Sequence, residues 1–134
     1  MWESFDFGDM DILWTCTPFV AGIGGQQDAP CGAVSAGAVC LGLIHRETGG
    51  KKEEVKLARH RARQNAAEFV NLFRQEFGNI TCSSLIGIDF SKPGEYKRFL
   101  DSKIWVDKCM KYAQFTVEKL IGLIEKKRAG AKKV

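Results

Sequence analysis

Residues 51–79, KKEEVKLARHRARQNAAEFVNLFRQEFGN, decide the fold class. Val55, Ala58, Ala62, Ala66, Phe69, Phe73 and Phe77 recur at steps of three and four, the spacing that lines side chains along one face of an α-helix. Gly78 and Asn79 follow, and glycine ends helices readily because it takes a positive φ without a Cβ penalty. The stripe is small at first and bulky later. Its alanine half is therefore expected to lie close against a neighbouring helix, with the three phenylalanines filling the wider end of a core. Lys56, Arg59, Arg61, Arg63 and Arg74 lie mainly off the stripe and read as a solvated face.

Upstream, Asp28 or Ala29 before Pro30 fits a cap with proline at the first helical position, so a second helix is expected from there to about Glu47. Gly32, Ala33, Ser35, Ala36, Gly37, Ala38 and Gly42 make it a smooth rod, at a cost of up to about 1 kcal/mol per glycine relative to alanine. Close contact with a neighbour is the expected compensation. Further upstream, Asp9 caps a short helix through Met10, Ile12, Leu13 and Cys16 that stops before Pro18, and residues 18–29 form a glycine-rich loop.

Downstream, residues 80–100 read as a connector, with one helical turn at Thr81–Ile86 broken by Gly87 and by Lys92-Pro93-Gly94. A short amphipathic piece holds Tyr96, Phe99 and Leu100. A last helix is expected from about Ser102, with Val106, Cys109, Ala113, Val117, Leu120 and Ile124 on one face. No strand-like alternation of useful length occurs. The fold class is all-α, a small helical bundle of three main helices plus short ones, forming one domain over residues 1–125 with a basic, disordered tail at 126–134.

With 134 residues, 45% hydrophobic and 27% charged, the chain has the make-up of a single globular domain, which excludes collagen-like, mucin-like and wholly disordered classes. The longest apolar stretch, 29–44, falls short of the roughly 20 residues a membrane span needs. The start, Met1 to Asp6, lacks the basic residues and apolar run of a secretory signal, so a cytoplasmic location without permanent disulfides is expected. Residues 1–30 carry five acids and no Lys or Arg, while all 20 cations follow. A net charge of +4 without interleaved aromatics is a poor nucleic-acid footprint.

Five cysteines stand at 16, 31, 40, 82 and 109, and none forms a CxxC pair. Haem c attachment is excluded because no CxxCH occurs. His45 and His60 are isolated and read as a helix C-terminal residue and a surface residue. Cys31, at the first turn of the second helix, faces free backbone N–H groups and the positive dipole end, a setting that stabilises a thiolate. Cys82 follows the cap residue Thr81 and shares that expectation. Cys109 points inward and depends on tertiary contact. Cys40 reads as a small buried hydrophobe, and Cys16 leans the same way. Gly22, Gly24 and Gly25 make a tight turn rather than a phosphate loop, since no strand precedes and no Lys-Ser/Thr follows. Trp14, Trp105, Tyr112 and the phenylalanines are expected in the core. No Ser-His-acid set supports hydrolysis.

Taken together, Gly22-Ile23-Gly24-Gly25, Cys31-Gly32-Ala33-Val34-Ser35, Cys82-Ser83-Ser84-Leu85-Ile86-Gly87 and Cys109 resemble the redox-active proteins named for a C, CGAxxG, C, C pattern, over about Asp9 to Glu125. The resemblance implies a small helical protein, related to a domain of the split-Soret cytochromes. It assigns Cys31, Cys82 and Cys109 as redox thiols or metal ligands, with Gly22, Gly24, Gly25 and Gly32 as backbone around the site. The implied cofactor is an iron-sulfur cluster or other thiolate-bound metal. Two departures stand out: the second glycine of the motif falls at Ala36, and the first cysteine of the family, on an upstream helix, has no match. A fourth ligand would then come from Cys16, Cys40, a partner subunit or solvent.

Three readings follow. Clustered thiolates hold a metal or iron-sulfur centre and pass electrons to a redox partner protein. Alternatively, a metal-free pair cycles between thiols and disulfide, with Cys31 attacked or resolved by Cys82 or Cys109. In the third reading, the chain is a helical interaction module with inert cysteines. The missing upstream helix leaves an apolar face that a homodimer would cover.

Overall fold

The computed structural model describes residues 8–131, the side chains of 127–131 excepted. Its α-helices are α1 Asp11–Cys16, α2 Gly32–His45, α3 Lys52–Phe77, α4 Cys82–Ile86, α5 Glu95–Asp101 and α6 Met110–Ala131. Among the described residues there is no strand, only an isolated antiparallel bridge between Pro30 and Thr81. The expected all-α class is the observed one.

The striped segment forms α3 as its spacing predicts. The Glu54 carboxylate accepts the Lys51 N–H at 2.6 Å and closes the first turn. At the other end Gly78, with φ 80°, returns its N–H to the Arg74 carbonyl at 2.8 Å. Phe69 and Phe73 are fully buried. The Phe73 ring centroid lies 4.8 Å from Phe77 and 5.8 Å from both Tyr112 and Phe115, so α3 and α6 meet through an aromatic cluster.

The smooth face of α2 is used at Gly37. A Cβ there would stand 2.7 Å from the Phe69 ring and 3.0 Å from the Thr116 methyl, so only glycine lets α2, α3 and α6 come together at this point. The alanine half of α3 faces α2 as its pattern predicts: Val55, Ala58 and Ala62 share a groove with Gly42, His45 and Arg46, and no other pair of described helices packs as extensively as α2 and α3. Farther along, a large ring enters the notch that Gly37 leaves. His45 ends α2 in a buried position, where its Nε2 pairs with the Asn65 amide at 2.8 Å, and His60 is exposed.

Several boundaries differ from the sequence prediction. Pro30 is not the first helical residue of α2, because it is held extended opposite Thr81; Cys31 is the cap, and the helix ends at His45 rather than Glu47. After α1, a 3₁₀ turn over Thr17–Phe19 carries Pro18. The last helix does not begin at Ser102. Lys103 takes φ 58°, a π-helical turn runs over Trp105–Cys109, and regular helix starts at Met110.

A π-turn holds one residue more than an α-turn and rotates the face that follows. With this turn Ile104 and Cys109 pack against the core and Val106 is exposed, and in α6 the buried residues are Tyr112, Thr116, Leu120, Leu123 and Ile124, with Ala113 exposed. Helix α6 continues through the basic residues to Ala131, and residues 132–134 lie outside the described ones. Trp14 and Trp105 are not core residues: they are 73% and 43% exposed. Trp14 sits on the outer face of the short α1, together with Met10 and Leu13, where no described element covers it. No described helix is long and apolar enough to cross a membrane.

Candidate redox site

The glycine-rich loop is a left-handed turn. Ala21, Gly22, Ile23, Gly24 and Gly25 all have φ between 48° and 80°, a conformation that costs roughly 1–2 kcal/mol for each non-glycine residue. Three hydrogen bonds across it offset that cost: Gly24 N–H to Pro18 O at 2.8 Å, Gly25 N–H to Val20 O at 3.1 Å, and Gln27 N–H to Ala21 O at 2.9 Å. At Gly22 there is no room for a side chain, since a Cβ would stand 2.8 Å from the Ala29 carbonyl oxygen. The turn reverses the chain and delivers residues 27–31 to the start of α4.

There the backbones interlock. Cys31 N–H donates to Ile80 O at 2.7 Å, Cys82 N–H to Ala29 O at 3.3 Å, and Ser83 N–H to Gln27 O at 3.1 Å. Cys31 and Cys82 therefore begin two helices side by side, 51 positions apart in sequence. Cys109, the last residue of the π-helical turn, follows Lys108, which bonds to the end of α4, and its thiol is raised by both the Cys31 and the Cys82 sulfurs. The nearby Tyr112 hydroxyl, which donates to Leu85 O at 3.0 Å, is pushed up by burial and by all three sulfurs. The structure thus gathers Cys31, Cys82 and Cys109, with Gly22 and Gly32 in the adjoining backbone and Gly24 and Gly25 out on the open turn. The Cys40 thiol is raised by burial and next by the Cys16 sulfur, not by these three.

The expected stabilised thiolate at Cys31 is corrected. The N–H groups of Ala33 and Val34 do pull its pKa down, yet burial outweighs them and the thiol stands above its ordinary value. Cys82 is raised as well, by burial first and then by Cys31, against the pull of a Gln27 hydrogen bond. Thr81 gives no help as a cap, because its hydroxyl bonds to Asn79 and Ser84. Cys109 is pushed furthest, to about 11, by burial and then by the two neighbouring sulfurs. The resting site is a cluster of neutral thiols in a half-dry pocket.

Two residues that sequence reasoning misses hold this pocket together. Gln27 is 4% exposed, with its amide nitrogen 2.8 Å from Ile88 O and 4.0 Å from Cys82 Sγ, and its carbonyl accepting Phe90 N–H at 2.7 Å. Lys108 donates to Leu85 O and Ile86 O at 3.2 and 3.4 Å, fastening the π-helical turn to the end of α4. A glutamine in a polar loop carries no local signal of burial. The same holds for a lysine one residue before a cysteine.

A metal or iron-sulfur centre requires ligand atoms converging on one point. Among the described residues no group of three or more His, Cys, Asp or Glu is arranged to hold a metal ion. The chemistry these side chains carry by themselves is thiol chemistry.

No curated protein and no solved structure gave a match to the chain. A family model described as "Putative redox-active protein (C_GCAxxG_C_C)" matches residues 1–123. Its pattern has glycine directly before the second cysteine, whereas here Pro30 precedes Cys31 and Gly32 follows, in contact with the Phe19 carbonyl. Because the match spans nearly the whole chain, the chain belongs to this family of redox-active proteins.

Proposed function

We propose that Cys31 and Cys82 are a two-electron thiol–disulfide couple, kept neutral at rest by burial, with Cys109 as a third neutral thiol that both of them raise. The carrying observation is the interlock at Pro30 and Thr81, which sets the two helix starts side by side. Cys31 is the first nucleophile, since two first-turn N–H groups face its sulfur.

The Cys31 thiolate attacks a disulfide of a partner protein, forming a mixed disulfide and releasing one partner sulfur as a thiol. Capping Cys31 removes the charge that raises Cys82. Cys82 then loses its proton and attacks the mixed disulfide at the Cys31 sulfur, closing the Cys31–Cys82 bond and freeing the second partner thiol. Two thiols are oxidised and one disulfide is reduced.

The test is to purify the chain anaerobically, reduce it, and count free thiols before and after exposure to a protein disulfide, alongside metal and sulfide analysis. Loss of thiols in pairs without stoichiometric metal supports the couple. Stoichiometric iron with acid-labile sulfide would overturn it in favour of a cluster that passes electrons to a partner. Thiols that stay unreactive while the chain is folded would overturn it in favour of an interaction module.

A further inference from the structure

The groove between the end of α2 and the first half of α3 lies apart from the redox site. Helix α2 has 14 residues, so its end stands about 20 Å from Cys31 at its start. The buried His45 ties the two walls of the groove together, its Nε2 pairing with the Asn65 amide on α3 at 2.8 Å. Val55, Ala58 and Ala62 give it an apolar lining, and its volume of about 570 Å³ is that of a small-molecule site.

Two arginines border this groove, Arg59 and Arg63, one helical turn apart on α3. Like charges at that spacing repel each other. Nothing in the described fold relieves them: the ion pairs of α3 join Lys56 to Glu53 and Lys126 to Glu68, and among the described residues none involves Arg59 or Arg63. The Arg63 Nε donates to the Arg59 carbonyl oxygen at 3.2 Å, which holds its guanidinium back toward Arg59. On the facing wall Arg46 and Glu47 cancel in formal charge, and the Glu47 carboxylate already accepts the Gly49 N–H at 3.2 Å.

From this arrangement we infer that the groove binds a small organic phosphate, a dianionic headgroup on an apolar body. The headgroup neutralises both Arg59 and Arg63, whose planar forks take phosphate oxygens in paired hydrogen bonds. A carboxylate would neutralise only one of them. The apolar body lies along Val55, Ala58 and Ala62. The inference goes beyond the thiol couple and does not depend on it, because it uses no sulfur.

The test is equilibrium dialysis of the full, reduced chain against phenyl phosphate, at a pH that keeps it dianionic, with inorganic phosphate and benzoate in parallel. Phenyl phosphate is expected to bind at least roughly tenfold more tightly than inorganic phosphate, through partial burial of the ring, and than benzoate, through its second charge. The double variant Arg59→Gln/Arg63→Gln is expected to lose more than roughly tenfold in affinity, and since both residues are exposed it keeps the fold. Arg63→Lys keeps the charge without the fork and is expected to weaken binding severalfold. Arg74→Gln, on the same helix beyond the groove, is expected to leave it unchanged. No binding of phenyl phosphate, equal affinity for inorganic phosphate or benzoate, full binding by the double variant, or an equal loss from Arg74→Gln would overturn the inference. Failure of the Cys31–Cys82 couple would leave every one of these affinities as it is.

Discussion

The Gln27 side-chain nitrogen stands 4.0 Å from the Cys82 sulfur and 2.8 Å from the Ile88 carbonyl oxygen. One buried amide thus ties a left-handed turn, residues 88–90 and a candidate redox thiol into a single unit.

Replacing it by an apolar side chain of similar length, Gln27→Met, leaves Ile88 O and Phe90 N–H unpaired. A buried group without a partner costs about 1–3 kcal/mol, so urea unfolding is expected to shift by at least that amount. The Cys82 thiolate also loses its donor. Alkylation of Cys82, followed by mass spectrometry in folded protein, is expected to slow, and an unchanged rate would show that the contact does not act on the sulfur.

Alkaline pH is expected to weaken the fold through Cys109. Its pKa rises from the ordinary 9.0 in the unfolded chain to about 11 in the folded one, so above pH 9 the unfolded state gives up its proton first. The contribution is whole below pH 9 and is lost as pH climbs through about 11. Thermal unfolding of the wild-type chain is expected to fall more steeply over that window than that of Cys109→Ala, and parallel curves would contradict the burial of this thiol.

The notch at Gly37 makes a third prediction. Gly37→Ala gains up to about 1 kcal/mol of helix propensity, while forcing a methyl into the Phe69 ring costs about 1–3 kcal/mol. The clash wins because Phe69 is fully buried and has nowhere to turn. A lower urea midpoint is expected; an equal or higher one would mean that α2 and α3 separate easily.

The main helices were legible because their signals are local. Seven residues from Val55 to Phe77 and a following glycine are enough to mark α3. The last helix was legible too, but its start, its end and the face before it were not: regular helix begins at Met110 and runs on to Ala131. A single π-turn before Met110 moves burial from Val106 to Ile104, and nothing in the residue types announces that extra residue. At the candidate site, Cys31, Cys82 and Cys109 were singled out through the family resemblance, and in the folded chain the Cys31 and Cys82 sulfurs both act on the Cys109 thiol. Their ionisation was not legible. A helix start favours a thiolate and burial opposes it, and which prevails at Cys31 depends on packing that only the folded chain displays.

The central claim is that Cys31 and Cys82 exchange electrons as a pair, and a disulfide map tests it most directly. After anaerobic reduction and exposure to a protein disulfide, trypsin together with cleavage before aspartate yields residues 28–46 and residues 75–88, the latter holding Cys82. The account predicts these two peptides joined through Cys31 and Cys82, at matching yield with the partner thiols released. Recovery of both as free thiols, from protein that is folded and whose partner disulfide has been reduced, would contradict it.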